Sequence, residues 1–274
     1  MNDREKTNQN STEAKGAGQR ADFEQQASAG QRADVEQQAS AGQRADVVAL
    51  VPAFNEAATI AATVQAIQAV PAPKPDAIQI LVIDDGSTDD TATLAKQAGA
   101  TVARCEKNGG KGAALQQGIT FLETNASGLS PNIVLFLDAD LGKSARDAST
   151  LLSPLFDDLA DMTIGVLPKP PGSGGFGIVK NLARSAIRDW GGGYDTQAPL
   201  SGQRALTWEC LQAVLPFAEG YGVEVALTIR ALQQNYRVLE VMVDMQHRAT
   251  GRNLAGFLHR AHQYLDVRRT IKHL

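Results

Sequence analysis

Asp138-Ala139-Asp140 sets two carboxylates one residue apart at the end of an apolar run, residues 133–137. In an extended segment, side chains at i and i+2 fall on the same side of the chain. One carboxylate can then hold a divalent cation while the other holds the cation's water or a sugar hydroxyl. Such a cation neutralises the two phosphates of a diphosphate leaving group. Lys111, within Asn108-Gly109-Gly110-Lys111-Gly112, suits a phosphate or the edge of a base, because flanking glycines let the backbone come close to a ligand. The loop is not a Walker loop, since the GxxxxGK[ST] spacing is absent. Two further polar stretches end apolar runs: Pro52-Ala53-Phe54-Asn55-Glu56 and Asp84-Asp85-Gly86-Ser87. Each motif alone reads as ordinary capping, with Ser87 and Asp90 spaced for a local N-terminal cap. Together they read differently, because carboxylates gathered at one edge repel one another unless a cation or polar ligand is bound.

The histidines add a third kind of group. His247, His259, His262 and His273 all lie near the C-terminal end. His247 follows a strand-like run, residues 238–245, and precedes Ala249-Thr250-Gly251. A neutral imidazole there could complete a metal site with the Asp-x-Asp pair. Oxygen-rich sites favour Mg, and one nitrogen ligand leans toward Mn. His259 and His262 sit in a basic stretch that reads as a solvated face. Glu224 follows Gly220-Tyr221-Gly222-Val223 and opens a helical stretch. It reads either as a group that orients sugar or acceptor, or as a carboxylate favoured by the helix dipole.

These residues need a frame that brings them together. Apolar runs at 47–54, 78–83, 101–105 and 133–137 alternate with helical periodicity at 57–70, 88–98 and 111–124. Unalternated apolar runs separated by helices mark a mostly parallel sheet with helices on both faces, an α/β class. In such sheets ligands bind at the carboxyl ends of strands, where strand order reverses. The second half predicts a strand at 161–167, a flexible loop at 169–177, helices at 178–190, 204–215 and 223–235, a strand at 237–245 and a final helix over 253–272.

In order and spacing, PAFNEAATI, DDGSTDDT, NGGKGAAL and DADL resemble the motifs of family 2 glycosyltransferases, which have the Rossmann-like GT-A fold. The resemblance covers about residues 47–141. It implies that Pro52, Ala53, Asn55 and Glu56 contact the nucleoside, that Asp84 and Asp85 hold base or ribose, and that Lys111 and Gly112 line the base pocket. Asp138 and Ala139 would meet the ribose, and Asp140 the metal. Beyond residue 141, PLSGQRAL, PFAEGYGVEVAL and the His247-Arg248 pair are similar to the glucosyl-3-phosphoglycerate synthase group. Dolichyl-phosphate mannose synthases share the first half. That likeness implies Leu200, Ser201 and Gly202 at the donor, Glu224 beside the donor sugar as a catalytic group with Asp140, and His247 as a metal ligand. The implied reaction moves a hexose, glucose from UDP-glucose, to a small phosphorylated or lipid-phosphate acceptor with Mg or Mn. The competing readings are a non-catalytic nucleotide-sugar-binding protein and a nucleotidyltransferase, whose glycine-rich first loop is replaced here by PAFNEA.

Composition bounds the rest. The chain has 274 residues, 43% hydrophobic and 20% charged, with formal net charge −4, which excludes a globally basic nucleic-acid binder. Two cysteines, Cys105 and Cys210, make no disulfide framework and fit a reducing compartment. No apolar run reaches the roughly 18 residues of a membrane-spanning helix, and the N-terminus carries no secretory signal. The expectation is a cytoplasmic protein. A twelve-residue unit appears as AGQRADFEQQAS from Ala17 and AGQRADVEQQAS from Ala29, and a partial third copy, AGQRADV, starts at Ala41 and runs into the first strand. That polar, repetitive composition makes residues 1–46 an extension without a core of its own, disordered or transiently helical, and residues 47–274 the catalytic domain. Residues 47–141 form its nucleotide-sugar half and 142–274 its acceptor half. Gly172-Ser173-Gly174-Gly175-Phe176-Gly177 matches GxGxxG in form, but Lys169-Pro170-Pro171 breaks the strand-to-helix path that a dinucleotide site needs. The stretch reads as a mobile loop over donor and acceptor. Arg260, Arg268, Arg269 and Lys272 make the C-terminal helix basic, a solvated face or a weak peripheral membrane contact. A homodimer is left open.

Overall fold

β1 (Val47–Ala53), β2 (Ile78–Asp84), β3 (Thr101–Arg104) and β4 (Ile133–Phe136) are parallel, and α1 (Ile60–Gln68), α2 (Thr91–Gln97) and α3 (Lys111–Thr124) connect them. The computed structural model describes residues 46–71, 77–124, 131–168, 177–218 and 222–247, all within one unit. The N-terminal repeats, most of the 169–177 loop, Gly220 and Tyr221, His259, His262, His273 and the expected final helix lie outside them. The sheet has seven strands in the order β3-β2-β1-β4-β6-β5-β7, where β5 is Met162–Val166, β6 Arg204–Thr207 and β7 Val238–Met242. β6 runs antiparallel to both neighbours, and β5 pairs in parallel with β7.

The apolar runs are strands because both faces of the sheet are covered. In β1, Val47, Ala49, Val51 and Ala53 join the core formed with Ile60, Val64 and Ile67 of α1, while Val48 and Leu50 are equally buried on the other face. Each buried Val, Leu or Ile side chain contributes about 1.5–3 kcal/mol. Just before β1, the Asp46 carbonyl accepts from Ile133 N–H at 3.1 Å.

Two expectations change, and one pair of elements is new. The 204–215 stretch is not one helix. Arg204–Thr207 is drawn into the sheet between β4 and β5, and Thr207 then caps α6 (Trp208–Val214) by accepting from Cys210 N–H at 3.2 Å. Gly142–Ala148 is a 3-10 helix that runs into α4 (Ser149–Phe156), a pair that apolar spacing does not reveal. The Ser87–Asp90 cap does not form. Asp89 accepts from Thr91 N–H at 3.1 Å, and the Ser87 hydroxyl accepts from Asn55 N–H at 3.0 Å. α5 (Ile178–Trp190) packs on α7 (Val223–Gln233) through Ala183, Ala186, Ile187, Val225 and Ile229.

Candidate active site

Strand order reverses between β1 and β4, and the carboxyl ends of β2, β1 and β4 lie side by side there. Because β6 is antiparallel, it enters the sheet from that same edge, with Arg204 paired to Phe136. Residues 199–203 thus arrive beside Asp138.

Asp138 and Asp140 do not sit in an extended strand as the i, i+2 argument assumed. β4 ends at Phe136, and Ala139 and Asp140 form a turn. The two carboxylates still converge. One ligating atom each from Asp138, Asp140 and His247 lies within 4.8 Å of the others. His247 Nδ1–H donates to Asp140 Oδ1 at 2.9 Å, and its Nε2 is 3.9 Å from Asp138 Oδ2. That bond to Asp140 raises the imidazole pKa against the effect of burial, with Asp138 adding to it. Two carboxylates and an imidazole suit Mg or Mn, and two like charges held this close gain from a cation between them.

Lys111 starts α3 and spans two acids. Its Nζ donates to Asp138 Oδ1 at 2.7 Å and lies 3.0 Å from Glu224 Oε1. Burial opposes its charge, but Asp138 and Glu224 outweigh it and hold the ammonium well above its ordinary range. Burial likewise opposes the Asp138 carboxylate, and Lys111 overcomes it and holds the pKa down. Gly202 is what makes room. A Cβ there would lie 2.2 Å from Lys111 Nζ and 2.9 Å from Asp138 Oδ1. Gly112 serves the same loop from the other side, since a Cβ there would meet the Ala218 carbonyl at 2.5 Å.

The nucleoside-side residues are held by one another. Asn55, at φ 56°, accepts from Thr88 N–H at 2.9 Å, and Glu56 N–H donates to Thr91 Oγ1 at 2.8 Å. This ties the end of β1, with Pro52 and Ala53, to the loop after β2. Asp84 is fully buried. Its Oδ1 accepts from Ser87 N–H at 3.0 Å, while its Oδ2 has Arg104 Nε at 3.3 Å but no hydrogen bond. The Arg104 guanidinium is that oxygen's ionic partner. Asp85 is used differently. Its two oxygens accept from Gly109 N–H at 2.9 Å and Gly110 N–H at 2.8 Å, so it builds the Lys111 loop. Leu200 packs in the α5–α7 cluster, and the Ser201 carbonyl accepts from Arg204 Nε at 2.8 Å.

Two residues escaped the sequence reading. Gln203, fully buried, donates from Nε2 to Asp138 Oδ2 at 2.6 Å and accepts from Asp138 N–H at 3.1 Å. Its position beside Gly202 in PLSGQRAL was the available signal. Arg204, 1% exposed, bonds Thr228 Oγ1 of α7 at 2.8 Å, one turn after Glu224. Burial pushes its pKa down to about 10, against Glu224, Glu240 and Tyr194. The thiols play no part, since burial lifts Cys105 to about 11, with Asp85 adding, and Cys210 to about 12. A polar depression of about 530 Å³ opens beside the metal group, lined by Asp140, Leu141, Lys143, Ser144, Asp244, Gln246 and His247.

The model of glycosyl transferase family 2 matches residues 48–200. Glycosyltransferase AglJ of Haloferax volcanii is 30% identical over 210 residues, which are 74% of this chain and 63% of that protein. Glucosyl-3-phosphoglycerate synthase of Mycobacterium tuberculosis is 33% identical over 208 residues, 66% of this chain and 59% of that one. The chain thus spans less than two thirds of the length of these relatives. A crystal structure of the Mycobacterium tuberculosis synthase, in complex with Mn2+, UDP-glucose and phosphoglyceric acid, superposes with TM-score 0.62 at 27% identity, covering 87% of this chain and 84% of that one. Another, with UDP-glucose and glycerol 3-phosphate, gives TM-score 0.61 at 28% identity over 85% and 82%.

Proposed function

The chain belongs to glycosyl transferase family 2, and from that premise we propose that it is a metal-dependent glucosyltransferase that moves glucose from UDP-glucose to a small phosphorylated acceptor. The observation that carries this reading is the Asp138–Asp140–His247 group at the sheet's switch point, with the Lys111–Glu224 pair against it. A divalent cation bound there would neutralise charge on the departing diphosphate. The chain's own residues do the rest. Asp84 holds the base or ribose, while Pro52, Ala53, Asn55, Glu56 and Gly112 wall the nucleoside, Asp85 acting through the loop it builds. Asp138, with Ala139, meets the ribose, its carboxylate oriented by Gln203 and Lys111. Leu200, Ser201 and Gly202 close the donor side. Glu224, 7% exposed and fixed by Lys111, faces the sugar or the incoming hydroxyl. The acceptor hydroxyl oxygen bonds the anomeric carbon as the bond to the diphosphate breaks, UDP leaves with the electron pair, and the hydroxyl proton passes to a phosphate oxygen of the leaving UDP.

Support for an anionic acceptor comes from the phosphorylated acceptors held by the mycobacterial synthase. Residues 1–46 stand outside the catalytic domain in this reading. A cytoplasmic location, a weak membrane contact through the basic C-terminal stretch and a homodimer belong to the proposal as well. Among the described residues, no helix is long and apolar enough to cross a membrane.

The test is ligand-dependent melting followed by transfer. UDP-glucose with Mn should raise the melting temperature more than GDP-mannose, and 3-phosphoglycerate or glycerol 3-phosphate should accept labelled glucose. Asp140→Ala should keep the fold and abolish transfer. Binding of UDP-glucose with no transfer to any phosphorylated or lipid-phosphate acceptor would favour the non-catalytic reading instead.

A further inference from the structure

Two hydroxyls stand behind the metal group. Thr63, fully buried on α1, donates from Oγ1 to the Ala139 carbonyl at 2.8 Å and accepts from Gly142 N–H at 2.8 Å. One side chain thus closes both ends of the turn that carries Asp140. Ser144, in the 3-10 helix, donates from Oγ to the Leu141 carbonyl at 2.7 Å and accepts from Gln246 N–H at 3.0 Å. Leu141 adjoins Asp140, and Gln246 adjoins His247. A single hydroxyl therefore joins two segments whose metal-facing residues are 107 positions apart in sequence.

These segments need such a tie. β7 ends at Met242, and the ladder continues only as far as Val243 N–H, which donates to the Val166 carbonyl at 3.1 Å. His247 lies four residues beyond, where no strand fixes it. Asp140 lies in a turn whose neighbour Asp138 repels it. Ala139, Leu141, Val243 and Met245 are buried and Asp244 N–H bonds the Asp147 carboxylate, so the backbone around the turn is held. The two hydroxyls add the bonds nearest Asp140 and His247, and without them more of the cost of ordering those two residues would fall on cation binding.

We propose that Thr63 and Ser144 are positioning residues that hold Asp140 and His247 at the spacing a divalent cation requires, and thereby set the affinity for the metal. The inference rests on the metal-dependent reading given above. Partners that orient metal ligands without touching the metal typically cost 10–100-fold in metal affinity or activity when removed.

The test measures Mn2+ binding to the full chain by electron paramagnetic resonance or calorimetry, without turnover. The proteins are wild type, Thr63→Val, Thr63→Ser, Ser144→Ala and Ser144→Thr, with melting temperature and metal-free UDP affinity measured alongside. Thr63→Val and Ser144→Ala should weaken Mn2+ binding by about 10-fold or more. The hydroxyl-retaining variants should stay within a few-fold of wild type, and metal-free UDP affinity should hold throughout. Thr63→Val strands two backbone groups and can fail to fold, in which case the half-buried Ser144 decides. Unchanged Mn2+ affinity in folded Ser144→Ala overturns the proposal. So does an equal loss in Ser144→Ala and Ser144→Thr, since the hydroxyl would then not be the cause. A wild-type chain that binds UDP but no Mn2+ overturns the metal reading first and this inference with it, which distinguishes the two failures.

Discussion

Glu224 is the residue where a structural and a chemical role compete most directly. It occupies the first turn of α7, where a carboxylate gains up to about 1 kcal/mol from the helix dipole. It also lies 3.0 Å from Lys111, whose other partner is Asp138. Glu224→Gln keeps shape and removes charge. We expect UDP affinity near that of wild type and transfer reduced about 100-fold, the scale of a positioned acid–base or electrostatic group. Unchanged transfer with a slightly lower melting temperature would assign Glu224 to the helix dipole alone. Gly202 allows a complementary test. The Cβ of Gly202→Ala would strike the Lys111 ammonium and the Asp138 carboxylate, both at side-chain ends that can move without disturbing the core. The fold should therefore survive, with a melting temperature close to wild type, while the Lys111–Asp138 contact opens and transfer falls at least about 10-fold, as expected when a group leaves its productive geometry. Full activity in Gly202→Ala would mean that Lys111 does not need that position.

At the scale of elements, the ends of β5 and β7 are joined by one charged clamp. Arg237 donates to Asp161 through Nε at 3.0 Å and through a terminal nitrogen at 2.8 Å, and that same terminal nitrogen reaches Asp158 Oδ1 at 2.6 Å. The bond from Arg237 holds the Asp161 carboxyl below its ordinary range. A carboxyl depressed in the folded state stabilises above its unfolded pKa, near 3.9, and that stability is lost as pH falls through the lower folded value. Arg237→Ala should thus lower the melting temperature modestly at neutral pH, because the pair is largely solvated. It should also flatten the decline of stability below about pH 4; an acid limb identical to wild type would contradict the clamp. β1, β2, β4 and α3 were legible because burial on both faces, or on one helical stripe, writes itself into apolar spacing. Arg204-Ala205-Leu206-Thr207 was not. Leu206, Cys210 and Val214, four residues apart, keep helical spacing through the junction, and only pairing with β4 and β5 makes Arg204–Thr207 a strand. The chemistry-bearing Asp138, Asp140, Lys111, Glu224 and His247 could be named because the motifs that carry them occur together, in the order and spacing of the family the sequence resembles. Thr63, Ser144 and Gln203 could not, because each meets its partner across 65 or more residues of sequence and carries a side chain that is ordinary anywhere.

The molecule as a whole divides by composition before it divides by shape. The repeats from Ala17, Ala29 and Ala41 contain one aromatic, Phe23, and few other large apolar side chains, so they bring little surface that burial could reward against the cost of ordering the backbone. The site residues all lie between Pro52 and His247, and the atoms that build the site come from β1, β2, β4, β6, α1, α3, α7 and the loops between them. Asp46 stands just before the sheet, its carbonyl accepting from Ile133 N–H. A chain lacking residues 1–45 keeps that bond and should keep the catalytic machinery. We expect its kcat within about 3-fold of the full chain's and its KM for UDP-glucose unchanged, whereas a chain cut after residue 48 should lose stability because the first β1 residues, Val47 and Val48, are core. The two truncations separate the extension from the fold. A large fall in kcat for the 1–45 deletion, with the melting temperature intact, would show that the repeats act on the reaction. A fall in KM-dependent rate confined to a lipid-linked acceptor would show instead that they deliver the enzyme to its acceptor.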